Sequence, residues 1–105
     1  MAEHTTSITG SLQHFLILLH QRLSTIEAVY LYGSQVRGNA TALSDIDVAV
    51  VSSALPADTF QARLLLMRLA AQVDDRIEPT PFAPEDFTPN DPLASEIRRT
   101  GVRLV

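Results

Sequence analysis

The chain of 105 residues contains neither cysteine nor lysine. Without cysteine it has no disulfide framework, no thiolate zinc site and no thiol nucleophile, which fits a cytoplasmic protein. All eight basic residues are arginine and the formal charge is −4. No lysine-rich run is therefore present to follow a phosphate backbone, and autonomous nucleic-acid binding is disfavoured. No apolar run approaches membrane-spanning length. The N-terminus, with Glu3, Thr5, Thr6 and Ser7, lacks the basic-then-apolar order of a leader. The expectation is a soluble, untargeted chain with no membrane partner. The glycine-lysine-serine/threonine signature of a P-loop and the GxGxxG fingerprint of a dinucleotide fold are both missing, so neither of those nucleotide folds applies.

What is present is globular in character. The apolar fraction of 46% against 19% charged residues supports a modest core, and the length suits one domain over residues 1–105. From Ser11 to Ser24 the residues Leu12, Phe15, Leu16, Leu19 and Leu23 recur at helical spacing. Ala28 to Tyr32 is a short run of strand formers that Gly33 terminates. Residues 35 to 44 are polar and small, and Asp45 to Val51 returns to a β-branched run, a second strand.

Pro56 and Asp58 announce a helix that carries Phe60, Leu64, Met67 and Ala71 on one face, widened by Leu65, Leu66 and Leu69, and that ends near Val73. Asp75 to Thr80 alternates as a third short strand, with Pro79 suited to an edge. Pro81 to Pro89 reads as a loop whose Phe82 and Phe87 cover the sheet. Asp91 and Pro92 open a last helix that Gly101 stops before a brief extension from Val102 to Val105. The expected architecture is α/β or α+β, a mixed sheet of three to four strands packed with about four helices.

The most informative segment is Leu31-Tyr32-Gly33-Ser34, followed by ten residues and then Asp45-Ile46-Asp47-Val48. Alternation along a strand sends Asp45 and Asp47 to one face, while Ile46, Val48 and Val50 enter the core. Two carboxylates aimed at one point repel, and a hard divalent cation removes the conflict. Magnesium takes oxygen ligands, commonly one or two carboxylates plus substrate phosphates. Gly33 lets the backbone approach a phosphate, and Ser34 adds a hydroxyl and an N–H at the start of a short helix. Arg37 can add charge to a triphosphate.

This pattern resembles the GS…DxD signature of the DNA polymerase β-like nucleotidyltransferase superfamily, and the short length places it nearest the minimal nucleotidyltransferases of that fold. The resemblance implies a third carboxylate on a neighbouring strand that helps hold the metal and orients or deprotonates the attacking hydroxyl. Glu78 is the candidate, with Asp75 and Asp74 as rivals. A glutamate stands where aspartate is usual, and Pro79 follows it.

The implied reaction is attack of a hydroxyl on the α-phosphate of a nucleoside triphosphate, with catalytic and metal roles for Asp45, Asp47 and Glu78 and nucleotide contacts from Gly33, Ser34 and Arg37. Minimal nucleotidyltransferases of this kind resemble antitoxins paired with a HEPN-domain toxin. The resemblance therefore implies AMP transfer from ATP, with Mg2+, to a tyrosine of a co-encoded HEPN toxin, in a homo- or hetero-oligomer. The alternative is an inactive relative that neutralises its partner by direct binding.

Other polar residues have structural readings. His14 and His20 lie six residues apart, which does not stack them on one helix face, and His4 stands near the terminus. Tyr30 and Tyr32 suit core or edge packing rather than base stacking.

Overall fold

The computed structural model describes residues 8–41 and 43–105. The expectations for Glu3, His4, Thr5, Thr6 and Ser7 fall outside them. In chain order the elements are α1 (Ile8–Arg22), β1 (Ala28–Tyr32), α2 (Ser34–Arg37), β2 (Ile46–Val51), α3 (Thr59–Ala71), β3 (Ile77–Phe82), a single 3-10 turn over Pro84–Asp86, α4 (Pro92–Thr100) and β4 (Val102–Arg103). Among the described residues, four helices and one four-stranded mixed sheet give the α+β class expected. The strand order is β3-β2-β1-β4, antiparallel except for the β2–β3 pair.

Strand alternation divides the interior into two layers. Val29, Ile46, Val48, Val50 and Ile77 point to one face, where they pack with Leu12, Phe15 and Leu19 of α1 and Leu66 and Leu69 of α3. Ala28, Ala49, Val51 and Phe82 point to the other, covered by Phe87 and by Ala94 and Ile97 of α4. Phe87 meets Tyr30 at a tilt and Phe82 edge to face, at centroid distances of 5.4 and 5.1 Å. Phe82 and Phe87 thus cover the sheet as anticipated. This second cover is partial. At the opposite end of the same face, where β1 ends and β2 and β3 begin, lie Tyr32, Asp47 and Glu78.

Two helix starts follow their local chemistry. Asp58 accepts from the N–H of Gln61 at 3.0 Å, and Asp91 accepts from that of Ala94 at 2.9 Å with Pro92 in the first turn. Gly101 follows α4 with φ −79°, an ordinary backbone. Its requirement is space, since a Cβ there would stand 2.6 Å from the Ile97 carbonyl oxygen and 3.0 Å from that of Leu31. The chain can then turn at once into β4 beside β1.

Two expectations are corrected. The segment from Pro81 is not all loop: Pro81 and Phe82 complete β3. β3 is an edge strand, so the donors missing at Pro79 and Pro81, which alternate along it, can face outward and blunt the edge. The second correction concerns α3. It buries Ala62, Leu66, Leu69 and Ala70, whereas Phe60 is 69% exposed and Met67 49%. Apolar residues occupy both sides of this helix, so periodicity alone could not choose the inward one. Among the described residues, no helix is long and apolar enough to cross a membrane.

Candidate functional site

The site is built where β1 runs into α2 and where β2 begins. Gly33 makes the turn with φ 78° and ψ −147°, a conformation open essentially to glycine alone. Any Cβ there would overlap Oδ2 of Asp47 and stand 3.3 Å from its Cγ. The turn and the carboxylate are therefore packed together. The N–H groups of Val36 and Arg37 donate to the Gly33 carbonyl at 3.1 Å and close the short α2. Gln35 Nε2 donates to the carbonyl of Asp45 at 3.1 Å, tying α2 to the entry of β2. The intervening loop is pinned by Thr41 and Ser44, whose backbone and hydroxyl groups bond each other.

The register of the sheet lines up three side chains. Tyr32 pairs with Asp47, and Asp47 pairs with Glu78, so the three share one face in a row across β1, β2 and β3. The Tyr32 hydroxyl reaches across to Thr80 Oγ1 at 3.1 Å. Burial raises the Tyr32 phenol above its ordinary value, the bond to Thr80 opposes that shift, and the charges of Asp47 and Glu78 add to it. Asp47 is half-buried. Burial lifts its carboxyl above the usual range, the charge of Asp45 adds to the lift, and the charge of Arg37 opposes it. Asp45, just before β2, is exposed.

The structure therefore gathers Gly33, Arg37, Asp45 and Asp47, with Ser34 at the start of α2, and places Glu78 in the adjacent strand position. Among the described residues, no three His, Asp or Glu side chains stand close enough to hold a metal ion by themselves. The residues that could hold a hard divalent cation such as magnesium are Asp45 and Asp47, two like charges whose mutual repulsion such a cation would relieve. Of the rivals to Glu78, Asp74 is engaged elsewhere. It accepts from Arg76 Nη2 at 2.8 Å, from the Arg76 backbone N–H at 2.9 Å and from Ser11 Oγ at 2.8 Å. Asp75 is exposed in the turn before β3.

Tyr32 and Thr80 join this site, although the sequence suggested only packing for Tyr32. The available signal was position: Tyr32 is the last residue of β1 and directly precedes Gly33. A concavity of about 370 Å³ lies at the far end of β2 and β3, between Ser53, Pro56, Thr59, Pro81 and Glu85. None of the candidate residues lines it, and it is open to solvent, so the carboxylate row is the better guide to chemistry.

A mixed sheet with a glycine turn against a carboxylate strand is the framework of a nucleotidyltransferase. Residues 16–105 match the family Polymerase beta, Nucleotidyltransferase, and the chain belongs to that family. No curated protein matches it by sequence. Among solved structures it is similar to a toxin–antitoxin crystallised with AMP-PNP, at TM-score 0.68 and 24% identity, covering 89% of this chain and 71% of that one. It is also similar to a mutant of the toxin–antitoxin MntA-HpeT, at TM-score 0.66 and 22% identity over the same shares. A third similar structure is a putative nucleotidyltransferase from Sulfolobus solfataricus, at TM-score 0.65 and 18% identity, covering 96% of this chain and 82% of that one.

Proposed function

We propose that the chain binds ATP with Mg2+ at the Gly33 turn and transfers AMP to a hydroxyl of a protein partner, a tyrosine of a co-encoded HEPN-domain toxin, which it thereby silences as an antitoxin. The observation that supports this most is the contact of Gly33 with Asp47, beside Asp45 and in one row with Glu78. Support also comes from the structural likeness to a toxin–antitoxin that holds AMP-PNP. The MntA-HpeT mutant replaces two aspartates two positions apart by glutamate, the spacing of Asp45 and Asp47.

In this reading Asp45 and Asp47 hold the cation, which would neutralise phosphate charge and polarise the α-phosphate. Ser34 and the first amides of α2 face the distal phosphates, with Arg37 adding positive charge. Glu78 takes the proton of the acceptor hydroxyl. The acceptor oxygen bonds to the α-phosphorus, the bond to the bridging oxygen breaks, and pyrophosphate leaves. Positioning and charge complementarity supply most of the rate.

The test is incubation of the purified chain with α-labelled ATP and the co-encoded neighbouring protein. Covalent label on a tyrosine of the neighbour is expected. A stable complex that stays unlabelled moves the assignment to the second reading, a binding module that neutralises its partner without chemistry. The exposed apolar face of α3 is the observation that favours that reading.

A further inference from the structure

The outer face of α3 has no cover within the described residues. Phe60, Leu64, Met67 and Ala71 stand at helical spacing and form one stripe, about 16 Å long at the rise of an α-helix. It lies opposite the buried Ala62, Leu66 and Leu69. Arg63 borders it on one side and Arg68 on the other, and α3 carries no acidic residue in a chain of net charge −4. At its C-terminal end the stripe opens into a shallow groove of about 130 Å³, with Met67 and Ala71 on one wall and Glu78 and Pro79 on the other. A molecule seated on the stripe therefore reaches the edge strand β3 at Glu78, one end of the candidate carboxylate row, whose side chains belong to the sheet face away from α3.

We propose that this face docks a protein partner through an amphipathic helix whose apolar stripe is edged by aspartate or glutamate. Resting on the reading above, that partner is the protein that receives the nucleotide. Charge selects the occupant. If α3 met α3 of a second copy in either direction, arginine would face arginine along both flanks, an arrangement that disfavours association. Acidic edges instead pair with Arg63 and Arg68, fixing orientation and speeding encounter, while Phe60 and Met67 supply the buried apolar contact. The groove then leads the partner to the β3 edge, around which its acceptor hydroxyl would reach the face that carries Glu78 and Asp47.

The probe is the purified co-encoded neighbouring protein, titrated calorimetrically against the chain and against two double variants, Phe60→Ser with Met67→Ser and Arg63→Glu with Arg68→Glu. All four side chains are exposed, and unchanged thermal melting verifies the fold. Each double variant is expected to bind the neighbour at least about tenfold more weakly. The serine variant should retain its ATP affinity, and the glutamate variant should lose most of the salt dependence of association.

Full affinity in the serine variant overturns the proposal, as does a wild-type chain with no affinity for the neighbour. Sedimentation of the chain alone supplies a further arm: a dimer that the same substitutions dissolve assigns the face to a second copy and overturns it. The two readings fail separately. Binding through α3 without label transfer removes the transfer and leaves the surface, whereas label transfer indifferent to α3 removes the surface and leaves the transfer.

Discussion

Gly33 and Asp47 are held in a contact that no other residue at position 33 permits, because the positive φ and the carboxylate oxygen both occupy the space of a side chain. The turn into α2 and the carboxylate of β2 are thereby one unit, and a change at either reaches the other.

Gly33→Ala should therefore do more than strain the backbone. The conformational penalty is about 1–3 kcal/mol of stability, readable in denaturant unfolding. The displaced Asp47 should also weaken ATP binding by about tenfold or more. A variant that melts early but binds ATP normally would show that the contact is structural only.

Asp74 provides the pH dependence. Its bonds to Arg76 hold its carboxyl well below the usual range, with burial opposing and the Ser11 hydroxyl assisting. A carboxyl depressed in the folded state contributes stability that is complete above its unfolded value, about 3.9, and that is lost as pH falls through that value toward the folded one. Asp74→Asn should cost about 1–3 kcal/mol at neutral pH. The gap from the wild type should narrow below about pH 4. Urea midpoints across pH 3 to 7 check it, and a constant gap would contradict it.

The second layer of the core can be tested apart from the first. Ile97 is fully buried between α4 and the sheet, in the same cluster as Ala49 and Phe87. Ile97→Ala should cost about 2–5 kcal/mol. Hydrogen exchange should quicken in α4 and β4 before it does in α1, if the layers loosen separately.

Tyr32 reaches Thr80 across the site rather than projecting into solvent. Tyr32→Phe should cost about 1 kcal/mol of stability while leaving the fold intact. A loss of transfer far beyond that of stability would place the hydroxyl in the reaction, and unchanged transfer would confine it to positioning the strands.

Much of this was legible in the sequence because local chemistry and tertiary demand agree there. Ala28 to Tyr32 is β1 with the boundaries read from its composition, and Asp58, Asp91 and Pro92 start helices for reasons visible in the chain. The alternation of Ile46, Asp47 and Val48 predicts which side chains enter the core. What was not legible depends on neighbours. α3 is apolar on two sides, and only the sheet it packs against decides that Leu66 is inside and Phe60 outside. The pairing of Asp47 with Glu78 depends on a parallel register that no local pattern specifies, and Asp74 ceases to be a rival only once Arg76 and Ser11 are seen around it.

The central claim, a magnesium-dependent nucleotide site at Gly33, Asp45 and Asp47, is tested most directly by calorimetric titration of ATP into the wild type and Asp47→Ala, with and without magnesium. The wild type should bind ATP only with magnesium, and Asp47→Ala, folded by circular dichroism, should lose at least about 3 kcal/mol, or about 100-fold in affinity. ATP binding of equal strength in the variant would contradict the assignment.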